Sequence, residues 1–310
     1  MRVLVAGATG AIGRQLVPIL VAAGHEVHGM TRSRSKEAML RELGAVPVVA
    51  DALDPDQVAE AVGAAAPEVI VHELTAIGSL DTRRFDRDFA PTNRLRTEGT
   101  DHLLSAGQAV GVRRFVAQSV AGFGAYGRTG GAVKTEEDPL DPTPAREMRE
   151  TLGAVRHLEE AVLGARWTEG IVLRYGVFYG PGTSLSPGAE QFELVRRRRF
   201  PLVGDGGGVW SFVHVGDAAE ATAAAVERGG PGVYNVVDDD PAAVGEWLPA
   251  LARALGAKKP VRVSRFVGRI FAGEAGVAMM TEVRGASNAK AKRDLGWCPA
   301  HPSWRQALAP

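Results

Sequence analysis

The sequence is nearly free of cysteine and has no long apolar run. Cys298 is the only cysteine among 310 residues, so an internal disulfide framework is excluded and the chain suits a reducing cytoplasm. No apolar stretch approaches the roughly 20 residues that a membrane helix needs. Strand-like sequence begins at Arg2, which leaves no room for a signal peptide. We therefore expect a cytoplasmic protein with no membrane partner.

Excess charge of either sign is also lacking. Thirty-six basic residues balance 36 acidic ones, whereas nucleic-acid binding usually needs a basic surplus. One cysteine and scattered histidines show no ligand spacing, so we expect no metal site. The local exception is the run of four arginines from Arg196 to Arg199. Two interpretations of this run stay open: it forms a solvated helix end, or it contacts the substrate. The expected partner is a small-molecule substrate and not a nucleic acid.

A glycine motif opens the chain. Gly7, Gly10 and Gly13 follow an apolar run from Arg2 to Ala6 and precede an amphipathic stretch that ends at Ala23. This pattern predicts a strand-to-helix turn, where backbone amides and the positive end of the helix dipole bind a nucleotide pyrophosphate. The predicted contacts are Gly7, Gly10, Ala11, Ile12 and Gly13.

The end of the second predicted strand indicates which dinucleotide binds. NAD-selective folds carry an acidic residue about 20 residues beyond the glycines, where this chain has Thr31-Arg32-Ser33-Arg34. The Arg32 guanidinium can pair with a 2′-phosphate through two hydrogen bonds. We therefore expect NADP(H), with NAD possible. The alternative is that Arg32 and Arg34 only flank a helix start.

Strand-like and helix-like segments alternate through the first half of the chain. The strands are continuous apolar runs, typical of a parallel sheet covered on both faces, and the pattern loosens after Gly176. We predict an α/β fold: a Rossmann-type doubly wound parallel sheet with a smaller, interleaved C-terminal substrate lobe. The predicted NADP-binding domain comprises residues 1–175 and 209–227, and the lobe comprises 176–208 and 228–310.

Short motifs along nearly the whole chain occur in an order typical of one enzyme superfamily. They are Gly7-Ala-Thr-Gly10-Ala-Ile-Gly13, Asp51-Ala-Leu-Asp54, Val71-His72, Gly99-Thr100, Arg114-Phe115-Val116, Leu173-Arg-Tyr-Gly-Val-Phe-Tyr-Gly-Pro-Gly182, Ser211-Phe-Val-His-Val215 and Asp294-Leu-Gly-Trp297. Through these motifs the chain resembles the extended, and in part atypical, short-chain dehydrogenases/reductases. It is similar within them to the nucleotide-sugar epimerase and dehydratase group.

The resemblance implies further cofactor contacts. Asp51 would accept a hydrogen bond from the adenine amino group, with Ala52 against the ring. Leu74 and Thr75 would border the adenosine-side ribose and the pyrophosphate, and the backbone of Tyr175 would hold the nicotinamide carboxamide. All these positions follow predicted strands, at the edge where open α/β sheets bind ligands.

The catalytic residues are where this sequence departs from the superfamily. Extended members use a tyrosine to transfer the proton, a lysine four residues later, and a serine near the fifth strand. Here the matching positions are Leu152, Arg156 and Ser119, unless the alignment slides from Ser119 to Val120. Leucine cannot transfer a proton, and arginine is no base at neutral pH. Tyr126, on a glycine-rich loop, is the other candidate, with a packing role as its alternative. The predicted catalytic residues are therefore Ser119, Arg156 and Tyr126.

These observations lead to one main interpretation. It is an NADP(H)-dependent oxidoreductase that transfers hydride to or from a small carbonyl or alcohol substrate, with an atypical site that lacks the Tyr-x-x-x-Lys pair. Two alternatives stay open: a nucleotide-sugar epimerase or dehydratase with bound NAD, and a catalytically silent dinucleotide sensor or scaffold. By analogy, a homodimer would pair through helices at 83–110 and 146–163.

Overall fold

A parallel sheet forms the centre of the computed structural model, which describes residues 1–78, 80–122, 124–186 and 188–308. The strands in these residues are β1 (Arg2–Ala6), β2 (Glu26–Thr31), β3 (Val46–Val49), β4 (Val69–His72), β5 (Arg114–Val120), β6 (Val133–Lys134), β7 (Glu169–Tyr175), β8 (Val177–Tyr179), β9 (Leu202–Val203), β10 (Val209–Trp210), β11 (Phe212–His214), β12 (Gly232–Val236), β13 (Ala242–Ala243), β14 (Arg262–Val263) and β15 (Gly285–Ala286). In the described chain, the central sheet has seven strands in the order β3-β2-β1-β4-β5-β7-β12, and its pairings are parallel. The predicted Rossmann-type fold class is confirmed.

Helices cover both faces of this sheet. They include α1 (Gly13–Ala22), α2 (Glu37–Glu42), α3 (Pro55–Ala65), α4 (Phe85–Arg94), α5 (Thr100–Val110), α6 (Arg149–Gly164), α7 (Glu190–Arg196), α8 (Val215–Glu227), α9 (Val244–Ala254), α10 (Arg265–Thr281) and α11 (Ala289–Leu295). One face buries an apolar cluster with α1 and α8, and the other buries a second cluster with α3, α5 and α6. The interior strands are rich in apolar residues because both of their faces are covered. In the ranges described, no helix is both long and apolar enough to span a membrane.

The strand order creates a crevice beside β1. From β1 the chain moves outward to β2 and β3, then returns across the sheet to β4 on the other side of β1. The connection after β1 and the connection after β4 lead to opposite sides of the sheet, which leaves a gap between them. Open α/β sheets bind ligands in such a gap, at the carboxyl ends of the strands. The glycine turn follows β1 and Glu73 follows β4, so both lie at this switch point.

A further apolar cluster forms the smaller lobe. It combines residues of α7, α9 and α10 with short strands around Trp210 and Trp247, whose ring centroids are 4.9 Å apart. The assignment of residues 228–310 as a whole to this lobe is wrong. Strand β12 pairs with β7 at the edge of the central sheet, and Leu295 of α11 and Trp297 pack into the cluster beneath α8. Apolar residues of β12 fit that edge because they pack onto the main core. The other domain boundaries stay predictions.

Candidate functional site

A cleft of about 1290 Å³ opens at the carboxyl ends of β1, β4 and β5. One wall carries the glycine turn with Glu73 and Gln118, and the opposite wall comes from the smaller lobe, including Phe200 and Met280. Single-ligand pockets commonly measure about 300–1,000 Å³. The cleft therefore has room for an extended ligand such as a dinucleotide together with a small substrate.

The three motif glycines answer different steric demands. Gly7 has a φ of +95°, and a Cβ there would lie 2.7 Å from the Glu73 carbonyl oxygen. A Cβ on Gly13 would lie 2.4 Å from the Gly7 carbonyl oxygen. A Cβ on Gly10 would meet only that same oxygen, at 3.2 Å. Gly7 and Gly13 are thus required by the packing of the protein itself, whereas Gly10 leaves space on the cleft side.

The start of α1 fits a pyrophosphate. Gly10, Ala11, Ile12 and Gly13 all line the cleft. Among the described residues, no side chain caps the N-terminus of α1, and its first turn has no acidic residue. The first amides of a helix lack partners within it, and together with the helix dipole they favour an anion. These four residues therefore lie where the sequence predicted the phosphates to bind.

The residues predicted at the adenosine end lie near the ends of β2 and β3. Arg32 is exposed and forms no ion pair with any described residue, so its guanidinium is available to a ligand. Asp51 accepts a hydrogen bond from the amide of Leu53 at 3.0 Å, and Ala52 is buried. Asp54 caps α3 through the amides of residues 56 and 57, both at 3.1 Å. The cofactor contacts of Arg32, Asp51 and Ala52 stay predictions.

The next predicted contacts follow β4 and end β7. Thr75 lines the cleft, and Leu74 is half-buried beside it. The Tyr175 carbonyl already accepts the amide of Ala121 at 2.8 Å, and the Tyr175 hydroxyl bonds to Glu73 at 2.9 Å. The Tyr175 side chain is therefore part of the protein core. The backbone contact with the carboxamide stays a prediction.

The predicted catalytic residues do not form the cleft wall. Ser119 is buried and donates a hydrogen bond to Glu159 at 2.6 Å, and Glu159 pairs with Arg174 at 2.6 Å. Arg174 also donates to the Tyr126 hydroxyl at 3.1 Å, and that hydroxyl donates to Asn235 at 2.5 Å. We call Ser119, Tyr126, Glu159, Arg174 and Asn235 the buried network. Its hydrogen bonds hold Ser119 and Tyr126 inside the protein, away from the residues that line the cleft.

Arg156 also lies outside the cleft wall. Its guanidinium donates to the carbonyl oxygen of Asp141. One turn earlier on α6, Leu152 is buried against Ala125 and Val155. The structure thus brings Ser119 and Tyr126 together in the buried network, apart from Arg156, and an apolar side chain occupies the position that the resemblance assigns to tyrosine. Catalytic roles for Ser119, Arg156 and Tyr126 stay predictions that this placement does not favour.

Two polar cleft residues were missed by the sequence reasoning. His72 of β4 and Ala117 of β5 are paired in register, so the next residues, Glu73 and Gln118, are neighbours on adjacent strands. Glu73 and Gln118 both line the cleft. Glu73 Oε2 and Gln118 Oε1 are buried without a hydrogen-bond partner among the described residues. Burial raises the pKa of Glu73 to about 8, despite the opposing hydrogen bond from Tyr175. An acid directly after an apolar strand was the available signal.

Two of the four consecutive arginines line the cleft. Arg198 and Arg199 belong to its wall, whereas Arg196 and Arg197 pair with Glu193 at 2.7 Å and 3.5 Å. Arg198 and Arg199 add two positive charges to the cleft wall. A carboxylate or phosphate of a ligand would be attracted there.

One group of side chains has the composition of a metal site. His214, Asp217 and His301 place candidate ligand atoms within 4.8 Å of one another. The two imidazole rings are stacked, with centroids 3.8 Å apart, and His301 Nδ1 lies 3.1 Å from Asp217 Oδ2. The Asp217 carboxylate already accepts the amides of Ala300 and His301 at 3.0 Å and 2.8 Å. This arrangement fixes the C-terminal segment against α8.

The family of the chain follows from a comparison with family models. The family described as "NAD dependent epimerase/dehydratase family" matches residues 3–236. The chain belongs to this family. The resemblance to extended short-chain dehydrogenases/reductases is thereby confirmed, with the glycine turn and the sheet inside the matched region.

Two curated family relatives are named for their reactions. The 3-diazoavenalumate denitrifying reductase of Streptomyces sp is 45% identical over 314 aligned positions, which cover 99% of each chain. A 4-hydroxy-2-methyl-3-oxo-4-farnesyl-3,4-dihydroquinoline-1-oxide ketoreductase of Stigmatella aurantiaca is 28% identical over 265 positions, covering 84% of this chain and 75% of the relative. Both are reductases, which supports an oxidoreductase.

Solved epimerase structures share the fold and hold the cofactor class. UDP-glucose 4-epimerase of Thermus thermophilus in complex with NAD has a TM-score of 0.71 and 26% identity, covering 97% of this chain and 94% of that one. A human epimerase family protein with NADPH has a TM-score of 0.74 and 24% identity, covering 99% and 98%. The human protein, at 24% identity, shows the shared fold alone. The family match and the two reductase relatives make this chain an NAD(P)-binding oxidoreductase.

Proposed function

We propose that this protein is an NADPH-dependent reductase that replaces a diazo group by hydrogen on a small organic carboxylate. The substrate reacts as its diazonium cation. Support comes from the Streptomyces relative, whose name specifies a diazo substrate and a denitrifying reduction and whose similarity extends over both chains. Arg198 and Arg199 offer positive charge for the carboxylate of such a substrate.

The reaction balances without a proton. Nicotinamide supplies a hydride, a C–H bond forms at the carbon that carried the diazonium group, and the C–N bond breaks. The electron pair of the C–N bond leaves with N₂. NADPH is oxidised by two electrons to NADP⁺, whose ring takes over the positive charge of the diazonium group.

The apolar side chain of Leu152 is the observation that carries this choice. Reduction of a ketone leaves an alkoxide, which needs a proton donor, and the superfamily uses the tyrosine at this position for that purpose. Here Leu152 is 4% exposed and packed in an apolar cluster, and Tyr126 and Ser119 are held in the buried network. A reaction that releases N₂ has no need of the missing phenol.

A matched pair of substrates tests the proposal. We expect the protein to accelerate oxidation of NADPH by 4-carboxybenzenediazonium, with N₂ release, well above the protein-free rate. It should do little with 4-acetylbenzoate, which presents a ketone at the same position. NADPH deuterated at C4 should transfer its label to the ring carbon that lost nitrogen. Turnover of the ketone alone would indicate a carbonyl reductase, and binding of NADPH without any turnover would indicate a dinucleotide sensor.

Arg32 is expected to determine the choice of NADPH over NADH. The Arg32→Glu variant loses a charged hydrogen bond worth about 1.5–3 kcal/mol and places a carboxylate against the 2′-phosphate, so NADPH affinity should fall by about tenfold or more. NADH affinity should stay the same or rise. Fluorescence titration measures both, and Arg41→Glu, which removes an exposed arginine paired with Glu37, is the matched control. Equal affinities of the native protein for the two cofactors would exclude this role of Arg32.

A further inference from the structure

The Glu73 carboxyl is the most unusual polar group of the cleft. It is 6% exposed, belongs to the cleft wall, and presents Oε2 without a partner among the described residues. Its other oxygen, Oε1, is 2.9 Å from the Tyr175 hydroxyl. Most buried side-chain polar atoms have at least one hydrogen-bond partner. An unpaired buried oxygen on a residue of the cleft wall therefore points to a partner supplied by the ligand.

The hydrogen bonds behind Glu73 suit two protonation states. The Tyr175 hydroxyl lies 2.6 Å from Thr222 Oγ1, which in turn donates to the Ala218 carbonyl at 2.7 Å. When Glu73 carries its proton on Oε1, donation runs in one direction from Glu73 through Tyr175 and Thr222 to Ala218. When Glu73 is ionised, Tyr175 donates to it instead, and Thr222 can turn to donate to Tyr175. Each hydroxyl is both donor and acceptor, so only two hydroxyl rotations separate these states.

The position of Glu73 relative to a dinucleotide follows from the sheet. The pyrophosphate site is the glycine turn after β1, and the adenosine end lies over β2, where Arg32 stands. The other nucleotide must then extend across the switch point, over the carboxyl ends of β4 and β5. These ends present Glu73 and Gln118 to the cleft. A nicotinamide bound in this orientation would lie near this pair.

We propose that the Glu73 carboxyl is the charge partner of the nicotinamide: neutral beside the reduced ring and ionised beside the oxidised, cationic ring. This inference rests on the cofactor binding of the proposed function and adds a role for a residue of this chain. Loss of hydride would leave a positive charge on the bound ring, and Glu73 would release its proton to solvent through the cleft to balance that charge. The ionised carboxylate then stabilises the oxidised ring, which favours hydride donation.

The surroundings of Glu73 support this coupling. The titratable group that faces it is the Tyr175 hydroxyl of β7, while α8 presents Thr222 and β5 presents Gln118, both uncharged. Burial already holds the pKa of Glu73 at about 8, so the carboxyl is mainly neutral at pH 7. An adjacent cation favours the charged form of a carboxyl and lowers its pKa. Affinity for NADP⁺ relative to NADPH should therefore rise with pH, because ionised Glu73 favours the cationic ring.

The test compares the two oxidation states of the cofactor across pH. Dissociation constants of NADP⁺ and NADPH are measured from pH 6 to 9.5, and their ratio is taken because titration of the shared 2′-phosphate cancels. In the native protein, the ratio should shift toward NADP⁺ as the pH rises. The total shift should be about tenfold for each unit by which the oxidised ring lowers the pKa of Glu73. In Glu73→Gln it should change by less than about twofold. In Tyr175→Phe the shift should persist but occur at higher pH, since the hydroxyl no longer stabilises the carboxylate.

Each outcome distinguishes this role from the proposed function. A pH-independent ratio in the native protein, or an unchanged pH dependence in Glu73→Gln, would overturn the role of Glu73 while leaving NADPH binding intact. Failure of both proteins to bind NADPH at any pH would instead contradict the proposed function. Thermal unfolding of the variants verifies that they are folded, and the Tyr175→Phe result remains decisive if Glu73→Gln is unstable.

Discussion

Replacing Arg174 by methionine should lower the free energy of unfolding by about 3–5 kcal/mol, because it leaves a charge buried without its partner. The Arg174 and Glu159 side chains are only 6% and 7% exposed, and Arg174 Nη2 lies 2.6 Å from Glu159 Oε2. The guanidinium also donates to Tyr126. Methionine fills a similar volume, so the loss comes from the uncompensated Glu159 carboxylate. Urea denaturation measures the change.

An exposed ion pair of the same chain gives the matched control. Arg94 Nη2 and Glu98 Oε2 are 2.7 Å apart, close to the distance in the buried pair, but these side chains are 57% and 44% exposed. Water already screens this pair, so Arg94→Met should cost less than about 1 kcal/mol. Equal costs for the two variants would mean that burial of the Glu159–Arg174 pair does not determine its contribution.

A Gly10→Val variant should lose about 100-fold or more in NADPH affinity while remaining folded. The added side chain points to the open side of the glycine turn, where it would displace the pyrophosphate from the amides of α1. Loss of two charged hydrogen bonds at about 1.5 kcal/mol each corresponds to this change. Fluorescence titration with NADPH measures the affinity, and a thermal melt measures the fold.

The control for this variant is Gly63→Val on α3. A Cβ at Gly63 meets nothing within 4 Å, so the same substitution there tests only the general effect of valine on the protein. Native NADPH affinity in Gly10→Val would show that the dinucleotide binds away from the glycine turn. Unfolding of Gly10→Val would show that the 3.2 Å approach to Gly7 is not relieved.

The sheet and the glycine turn were predictable because they depend on local pattern. Apolar runs from Arg2 to Ala6 and from Val69 to His72 indicate strands with both faces covered. The spacing of Gly7, Gly10 and Gly13 is itself the geometry of a tight strand-to-helix turn. β12 was not assigned to the sheet, because more than 50 residues, many of them in the smaller lobe, separate it from its partner, β7.

The positions around the sheet edge were harder to predict, because neighbouring residues of a strand face opposite sides. Ser119 pairs in register with Arg174 and joins the buried network, whereas Gln118 pairs with Leu173 and its side chain reaches the cleft. A resemblance to a motif gives the approximate position but not the face. The sequence places Glu73 after β4, but its burial depends on Tyr175, about a hundred residues later.

The interleaved path of the chain limits how the cleft can move. After β7 the chain enters the smaller lobe, returns through α8 and β12, leaves again for α9 and α10, and comes back as α11 and Trp297. Several separate segments thus join the two walls, and no single linker serves as a hinge. The two walls of the cleft therefore cannot rotate freely relative to each other. A single proteolytic cleavage also cannot release either lobe as an intact fragment. We expect limited proteolysis to leave no stable half and the two lobes to melt in one transition.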